Sequence, residues 1–525
     1  MKKTVRNFAY VWLSAFLFLH PAFAFPQPIK PAAMDTLVLR TMRTFDVPGI
    51  AVAVVKDNKI IFSKGYGVRS LKTGQKVDSN TLFGIASNSK AFTTAALGML
   101  VDEKKLSWDD KVIDYIPEFR LYDPYVTESF TIRDLMTHRS GMGLGAGDLM
   151  IWPSSNEFTL QDIIHNLRYL KPVSGFRTKF DYDNLLYIVA GEIVARVSGL
   201  SWESFIETRI MRPLEMTQSA ASFSRLKDKS NVIDPHAPVD GLVRVVDRDN
   251  NETANAAGGI YSNLTDMCRW IIMQMNNGRY GEGLTKQLFS KEVHNEMWAA
   301  QTIMRVADST EYNTHFACYG LGWFLNDVNG YKEVWHTGGL AGIVTQVTLI
   351  PELKLGIIVL TNQQSGNAFR SITNSILDSY FGIKGIDRVS QYQKMTAKSL
   401  QNEANVNESV MRDIEAQKRK PGCMIADTLF TGVYSDKWFG DVLISLKNGE
   451  LRFDSKKSPG LTGRLIPYKG NTLIVRWDDR SMDADAFMVF NFNSAGVGYE
   501  IKMKAISPLT DFSYDFQDLD LIRKN

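Results

Sequence analysis

Two pairs of apolar, β-favouring runs stand far apart in the chain, and most of what lies between them has a helical rhythm. Residues 49–56 and 59–66 flank the two-residue step Asp57-Asn58, which is a hairpin pattern. Residues 344–351 and 355–361 repeat it around Glu352, Leu353 and Lys354. An isolated hairpin is marginal in water, so the economical arrangement joins the two pairs in one antiparallel sheet. Between them, 89–103, 184–198 and 264–275 carry apolar residues at three- and four-residue intervals, separated by loops with glycine and proline. The expected fold class is α/β (α+β): an antiparallel sheet flanked by helices plus an all-helical lobe, with a ligand cleft between them.

The rhythm then changes. Residues 385–420 are polar, rich in Gln, Lys, Asn and Glu, and end at Lys420, Pro421 and Gly422, which predicts a helical linker. Beyond it, short β-rich runs at 430–434, 442–447, 451–453, 472–477 and 486–492 are split by turn pairs such as Asn448-Gly449. A small all-β barrel or sandwich is expected there. At the other end, a basic start, an apolar run over 8–19 and small residues up to Ala24 form a secretory-leader pattern. That run is shorter than the roughly 20 residues needed to span a bilayer. The expected division is a leader over 1–24, a first domain over 25–385, a linker over 386–424 and a β domain over 425–525. An exported chain in the periplasm or outside the cell follows, without a membrane span once the leader is cut.

Charge and cysteine usage narrow the chemistry. The 60 basic and 57 acidic residues nearly cancel, and no block of like charge stands out, so nucleic acid is not an expected partner. Cys268, Cys318 and Cys423 are odd in number and widely spaced, which allows at most one disulfide. His138, His165, His236, His294 and His315 are scattered, and no metal-ligand spacing or cofactor motif occurs, so no metal or cofactor is expected. The glycine-rich stretch 141–147 has no strand leading into it and reads as a flexible loop near the cleft. Oligomeric state is left open.

Ser87 and Lys90 are three residues apart at the start of an apolar helical stretch, so they share a face. A serine hydroxyl is a poor nucleophile until a base takes its proton, and a lysine serves as that base only where its surroundings lower its pKa. Such S-x-x-K spacings arise by chance in a chain of this length. Two companions add weight: Tyr182, Asp183 and Asn184 about 95 residues on, and His336, Thr337, Gly338 and Gly339 ahead of the second β pair. Together these motifs resemble the serine penicillin-recognising enzymes, with their S-x-x-K, tyrosine-bearing x-N triplet and K-T-G strand. The spacing is most similar to class C β-lactamases and the related carboxypeptidases, D-aminopeptidases and esterases. Residues 131–141, 256–262 and 320–323 extend the resemblance, which covers about 35–385. The C-terminal β segment resembles, more loosely, a module that follows this domain in exported members.

The resemblance implies roles by position. Ser87 is the nucleophile, Lys90 activates it, and Tyr182 relays the leaving-group proton. Asn184 hydrogen-bonds the substrate amide, His336, Thr337 and Gly338 line the substrate strand, and the backbone N–H groups of Ser87 and Gly339 form the oxyanion hole. Tyr261-Ser262-Asn263 is a second Y-x-N, but its place after two glycines and at a helix start favours a structural reading. The G-x-S-x-G elbow of α/β-hydrolases is absent. His336 stands where relatives carry lysine, so a permanent cation for a substrate carboxylate is missing. With an ordinary pKa near 6.5, its charge is expected only as pH falls, weakening carboxylate binding between pH 5.5 and 8. The expected function is an exported serine hydrolase acting through an acyl-serine on D-amino-acid-containing peptides, amides or small esters. A class C-like β-lactamase or D-Ala-D-Ala carboxypeptidase is the first alternative, and a catalytically idle penicillin-binding-like ligand-binding protein the second. The β domain is expected to fold on its own, leaving a chain cut near Lys420 still reactive at Ser87.

Overall fold

A computed structural model describes residues 28–308, 310–418 and 426–524; the expected leader and Cys423 lie outside them. The two hairpins are β1 (Gly49–Lys56) with β2 (Lys59–Gly67), and β7 (Ile343–Ile350) with β8 (Leu355–Thr361). They join through β1 and β8, from Ile50 opposite Thr361 to Lys56 opposite Leu355. With β3 (Thr302–Met304), β4 (Ala317–Tyr319), β5 (Phe324–Val328) and β6 (Tyr331–Leu340) they make one antiparallel sheet in the order β2-β1-β8-β7-β6-β5-β4-β3.

The central strands are apolar on both faces because both faces are covered. Successive side chains of a strand point to opposite sides. Thus Ile50, Val52 and Val54 of β1 join one core with α1 (Pro31–Thr44) and α5 (Gly366–Phe381). Ala51, Ala53 and Val55 enter the other, larger core, which the helical lobe inserted between β2 and β3 supplies. The middle of that lobe is α2 (Ser89–Asp102), buried from Ser89 to Leu100, beside α3 (Leu185–Ser198). A helix apolar on all sides belongs inside a protein. α3 ends at Gly199, whose φ of 73° lets its N–H close onto the Ala195 carbonyl. α4 (Leu264–Met275) begins under the Asn263 side chain, which accepts from the Asp266 N–H at 2.9 Å. That cap is the work of the second Y-x-N.

After α5 comes α6 (Arg388–Lys418), the stretch read as a linker, and it is packed at both ends. Arg388 forms a two-pronged pair with Asp378 of α5 at 2.7 and 2.8 Å. Val410 and Ile414 lie against Ile474 of the C-terminal unit, and Asp413 accepts from Tyr468 at 2.8 Å. That unit is a closed antiparallel barrel of eight strands: β9 (Gly432–Asp436), β10 (Gly440–Lys447), β11 (Glu450–Ser455), β12 (Thr462–Lys469), β13 (Thr472–Trp477), β14 (Ala486–Phe492), β15 (Gly498–Ala505) and β16 (Leu521–Arg523). Three of these, β12, β15 and β16, are missing from the pattern read in the sequence. β12 carries Pro467 and Lys469 at a register shift, β15 alternates with charged residues, and β16 has three residues, so none forms an apolar run. Among the described residues no single helix is long and apolar enough to cross a membrane.

Candidate active site

Ser87 sits on a short turn, Ala86–Asn88, leading into α2. Ala86, just before it, is held at φ 49°, a left-handed conformation that costs a non-glycine residue on the order of 1–3 kcal/mol. Neighbours fix the turn. Thr345 of β7 donates to the Ile85 carbonyl at 3.0 Å and accepts from Asn88 at 2.9 Å. β6 passes so close that a Cβ on Gly338 would lie 2.3 Å from the Ile85 oxygen and 2.9 Å from the Ala86 Cβ. A side chain there would push the strand off the nucleophile.

Lys90, one helical turn on, is fully buried. Its Nζ contacts the Ser87 hydroxyl at 3.0 Å, the Asn184 Oδ1 at 2.8 Å and the Ala257 carbonyl at 3.0 Å. Burial lowers its pKa from 10.5 to about 7, against the pull of Asp148 and Asp183. The geometry suits a base. Two of the three positions on the nitrogen face groups that only accept, so when the proton leaves, the lone pair falls to the position facing Ser87. Tyr182 covers the pair, its ring centroid 4.8 Å from the Lys90 nitrogen. Burial holds its phenol well above the usual 10, opposed by its hydrogen bond with Ser87, so it stays a neutral donor.

Three positions hold more than the sequence indicated. Asn184 is already engaged: besides taking the Lys90 bond, its NH2 gives one hydrogen to Asp148 at 2.7 Å, so it holds the base while its second N–H is left over for a substrate amide. His336 is buried, and burial, reinforced by Lys90, brings its pKa down to about 3. Its Nδ1 faces the Thr337 carbonyl, which only accepts, so that nitrogen carries the proton and Nε2 accepts from the Tyr319 hydroxyl at 3.0 Å. The expected gain of positive charge near pH 6 is therefore corrected, because the ring is almost wholly buried and too little water meets it to stabilise the cation. The loop 141–147 is a packed wall, with Gly145 bonded to the Tyr182 carbonyl at 2.8 Å.

Several neighbours were not picked out from the sequence. His138, at φ 52°, accepts from the Asp183 N–H at 3.1 Å and packs on the Tyr182 ring at 4.2 Å. Burial raises Asp183 to about 7 and Asp148 well above the carboxylate range. Asp183 is the middle residue of the triplet read in the sequence and Asp148 adjoins the glycine-rich stretch, but neither was given a role; nothing in the sequence links Phe512, Ser513 and Asp515 of the barrel to this place. Cys268 and Cys318 carry free thiols away from it.

Ser87, Tyr182, Asn184, His336, Thr337, Gly338 and Gly339 line one cavity of about 910 Å³. β5 pairs with β6 only from Tyr331 to Trp335, so from His336 to Leu340 the outer edge of β6 is uncovered beside the nucleophile. Nothing lies within 4 Å of where a Gly339 Cβ would be. The cavity's other lining groups include Asp249, Glu252, Asp483 and Asp511, against one lysine, Lys229.

Comparison with known proteins places the chain in a family. The Beta-lactamase family model matches residues 34–379, and a domain of unknown function, DUF3471, matches 428–523. Unguisins hydrolase ungD of Aspergillus violaceofuscus is 27% identical over 440 residues, covering 79% of this chain and 76% of that protein. Protein flp of Staphylococcus aureus is 27% identical over 333 residues, 63% of each chain. Among solved structures, the octameric penicillin-binding protein homologue from Pyrococcus abyssi superposes with a TM-score of 0.60 at 21% identity, over 94% of this chain and all of that one. The likeness extends to the fold, barrel included.

Proposed function

The chain belongs to the Beta-lactamase family and is a serine hydrolase of the β-lactamase and penicillin-binding-protein type, and from that premise we propose its substrate class: amine-bearing peptides, amides or small esters built on D-amino acids. The observation that carries the acyl-serine step is the buried Lys90, poised near neutrality and fixed by two acceptors so that its third position meets Ser87. Neutral Lys90 takes the Ser87 proton as the oxygen attacks the carbonyl, and the oxyanion forms beside the backbone N–H groups of Ser87 and Gly339. The C–N or C–O bond breaks as the proton passes by way of Tyr182 to the leaving group. Water then enters by the same path and releases the acid from Ser87.

The charge of the cavity supports the amine. Four carboxyl side chains face one lysine across its walls, although burial raises Asp483 and pushes Asp249 up to about 7 so that these carry less than full charge, and the residue at the lysine position of relatives is a neutral histidine. A substrate carboxylate, as a β-lactam or a D-Ala-D-Ala terminus carries, would find no cation at the His336 position of β6. The leader pattern over 1–24 supports an exported site of action. The test pairs a fluorophosphonate label with two substrates. Wild type is labelled on Ser87 and Ser87→Ala is not, with turnover lost by about a million-fold, as for nucleophile removal elsewhere. D-Alanine p-nitroanilide, with a free amine, is cleaved faster than its N-succinyl derivative. The reverse preference would refute the amine reading while leaving the acyl-serine step standing.

A further inference from the structure

The nucleophile's cavity is closed by the barrel, and the contact reaches the base. Three arms leave one turn of the barrel, residues 512–515. Asp515, fully buried, accepts from the Gly147 N–H at 2.6 Å and the Leu149 N–H at 3.0 Å, and so brackets Asp148. Ser513 donates to Asp148 Oδ2 at 2.8 Å, the same oxygen that takes the Asn184 NH2 at 2.7 Å. Phe512 sets its ring edge-on to Tyr182, with centroids 5.8 Å apart, and its carbonyl lies against Gly145, where a Cβ would come within 2.7 Å of it.

The order of these bonds has one sense. A lysine nitrogen fixed by acceptors needs the oxygen of Asn184, so the Asn184 NH2 must find its acceptor elsewhere. Asp148 is that acceptor, and Ser513 and the Asp515-bound turn hold its carboxyl in place. The other oxygen of Asp148 is buried without a partner, so a carboxyl released from Ser513 has reason to rotate and take Asn184 with it. We infer that the C-terminal barrel is a working part of the active site, its turn 512–515 positioning Lys90 through Asp148 and Asn184, and Tyr182 through Phe512 and Gly145. Ser513, Asp515 and Phe512 are positioning residues, since none reaches the reacting atoms.

This inference rests on Ser87 being the acylated nucleophile, and one assay on the full-length chain separates the two. A fluorophosphonate forms an O–P bond to Ser87 as the P–F bond breaks, the proton going to Lys90 and fluoride leaving, whatever the natural substrate is. In Ser513→Ala the maximal labelling rate falls tenfold or more at unchanged half-saturation, since small displacements of a catalytic group cost on the order of a hundredfold. Ser513→Thr, which keeps the hydroxyl, recovers most of it. Phe512→Leu alters a ring that is 40% exposed and so is tolerated by the fold; it slows labelling several-fold through Tyr182. Should Ser513→Ala fail to fold, Ser513→Thr and Phe512→Leu carry the decision. Wild-type rates in the folded variants, or equal slowing in Ser513→Ala and Ser513→Thr, overturn the positioning role alone. Wild type left unlabelled at Ser87 overturns the acyl-serine reading and this inference with it.

Discussion

At the scale of the residue, Lys90 joins the chemistry to the stability of the fold. Its folded pKa, about 7, lies below the 10.5 of an unfolded lysine, so unfolding takes up a proton between those values. Stability therefore rises with pH through that window. Below pH 7 the cost of burying the ammonium is complete, roughly 5 kcal/mol from the separation of the two values. Activity follows the same proton, because only neutral Lys90 accepts from Ser87. The acylation rate is expected to climb with pH and level off just above 7. Lys90→Met should abolish acylation yet melt no lower than wild type at pH 6, with its advantage shrinking towards pH 10. A stopped-flow pH profile and paired thermal melts check this; a variant that melts well below wild type at pH 6 would make Lys90 a structural support. The identity of His336 was plain in the sequence but its state was not. A histidine's pKa depends on the water around it, and that is a property of the packed site.

At the scale of the element, periodicity found what it is built to find. α4 was read with the bounds it has, and α2 and α3 to within a residue, because each carries a sustained apolar rhythm and a clear stop. α6 shows the limit of composition as a guide. Its polar sequence reads as a solvated linker, yet its first residue is an arginine with almost no exposed surface, paired with Asp378 and lying 5.1 Å from the Tyr312 ring. Removing one partner of a buried pair leaves the other charge stranded. Arg388→Ala is thus expected to destabilise the chain by about 3–5 kcal/mol, whereas a surface substitution such as Arg412→Ala, on the same helix, should cost less than about 0.5 kcal/mol. Guanidinium unfolding of the two variants measures both; equal midpoints would mean that α6 is only loosely attached.

At the scale of the whole molecule, the sequence suggested a catalytic unit with a separable β domain, and the structure shows two units bolted together in three places. Helix α6 spans from α5 to β13. The turn 512–515 enters the active site, and Asn166 of the helical lobe donates to the Trp438 carbonyl at 2.7 Å while Asp162 meets Lys457 at 3.2 Å. With buried Asp515 taking its bonds from across that contact, and Asp148 one of its two, opening it exposes unpaired groups in both units. We expect one calorimetric unfolding transition for the full chain. Two well-separated transitions would restore the picture of an independent β domain.

The sequence by itself determined three helices of the core, the joining of two distant hairpins, the presence of a C-terminal β unit, and the placing of Ser87 and Lys90 on one turn. Each of these is written in a local period or a short spacing, which neighbouring residues enforce. The tertiary structure alone decided that Asn184 serves the base, that His336 stays neutral, that the barrel closes into eight strands, and that Ser513 and Asp515 reach a site more than 300 residues earlier in the chain. These depend on burial and on contacts between distant segments. No local pattern encodes them, because the free energy of a buried proton or hydrogen bond is set by whatever the rest of the fold brings beside it.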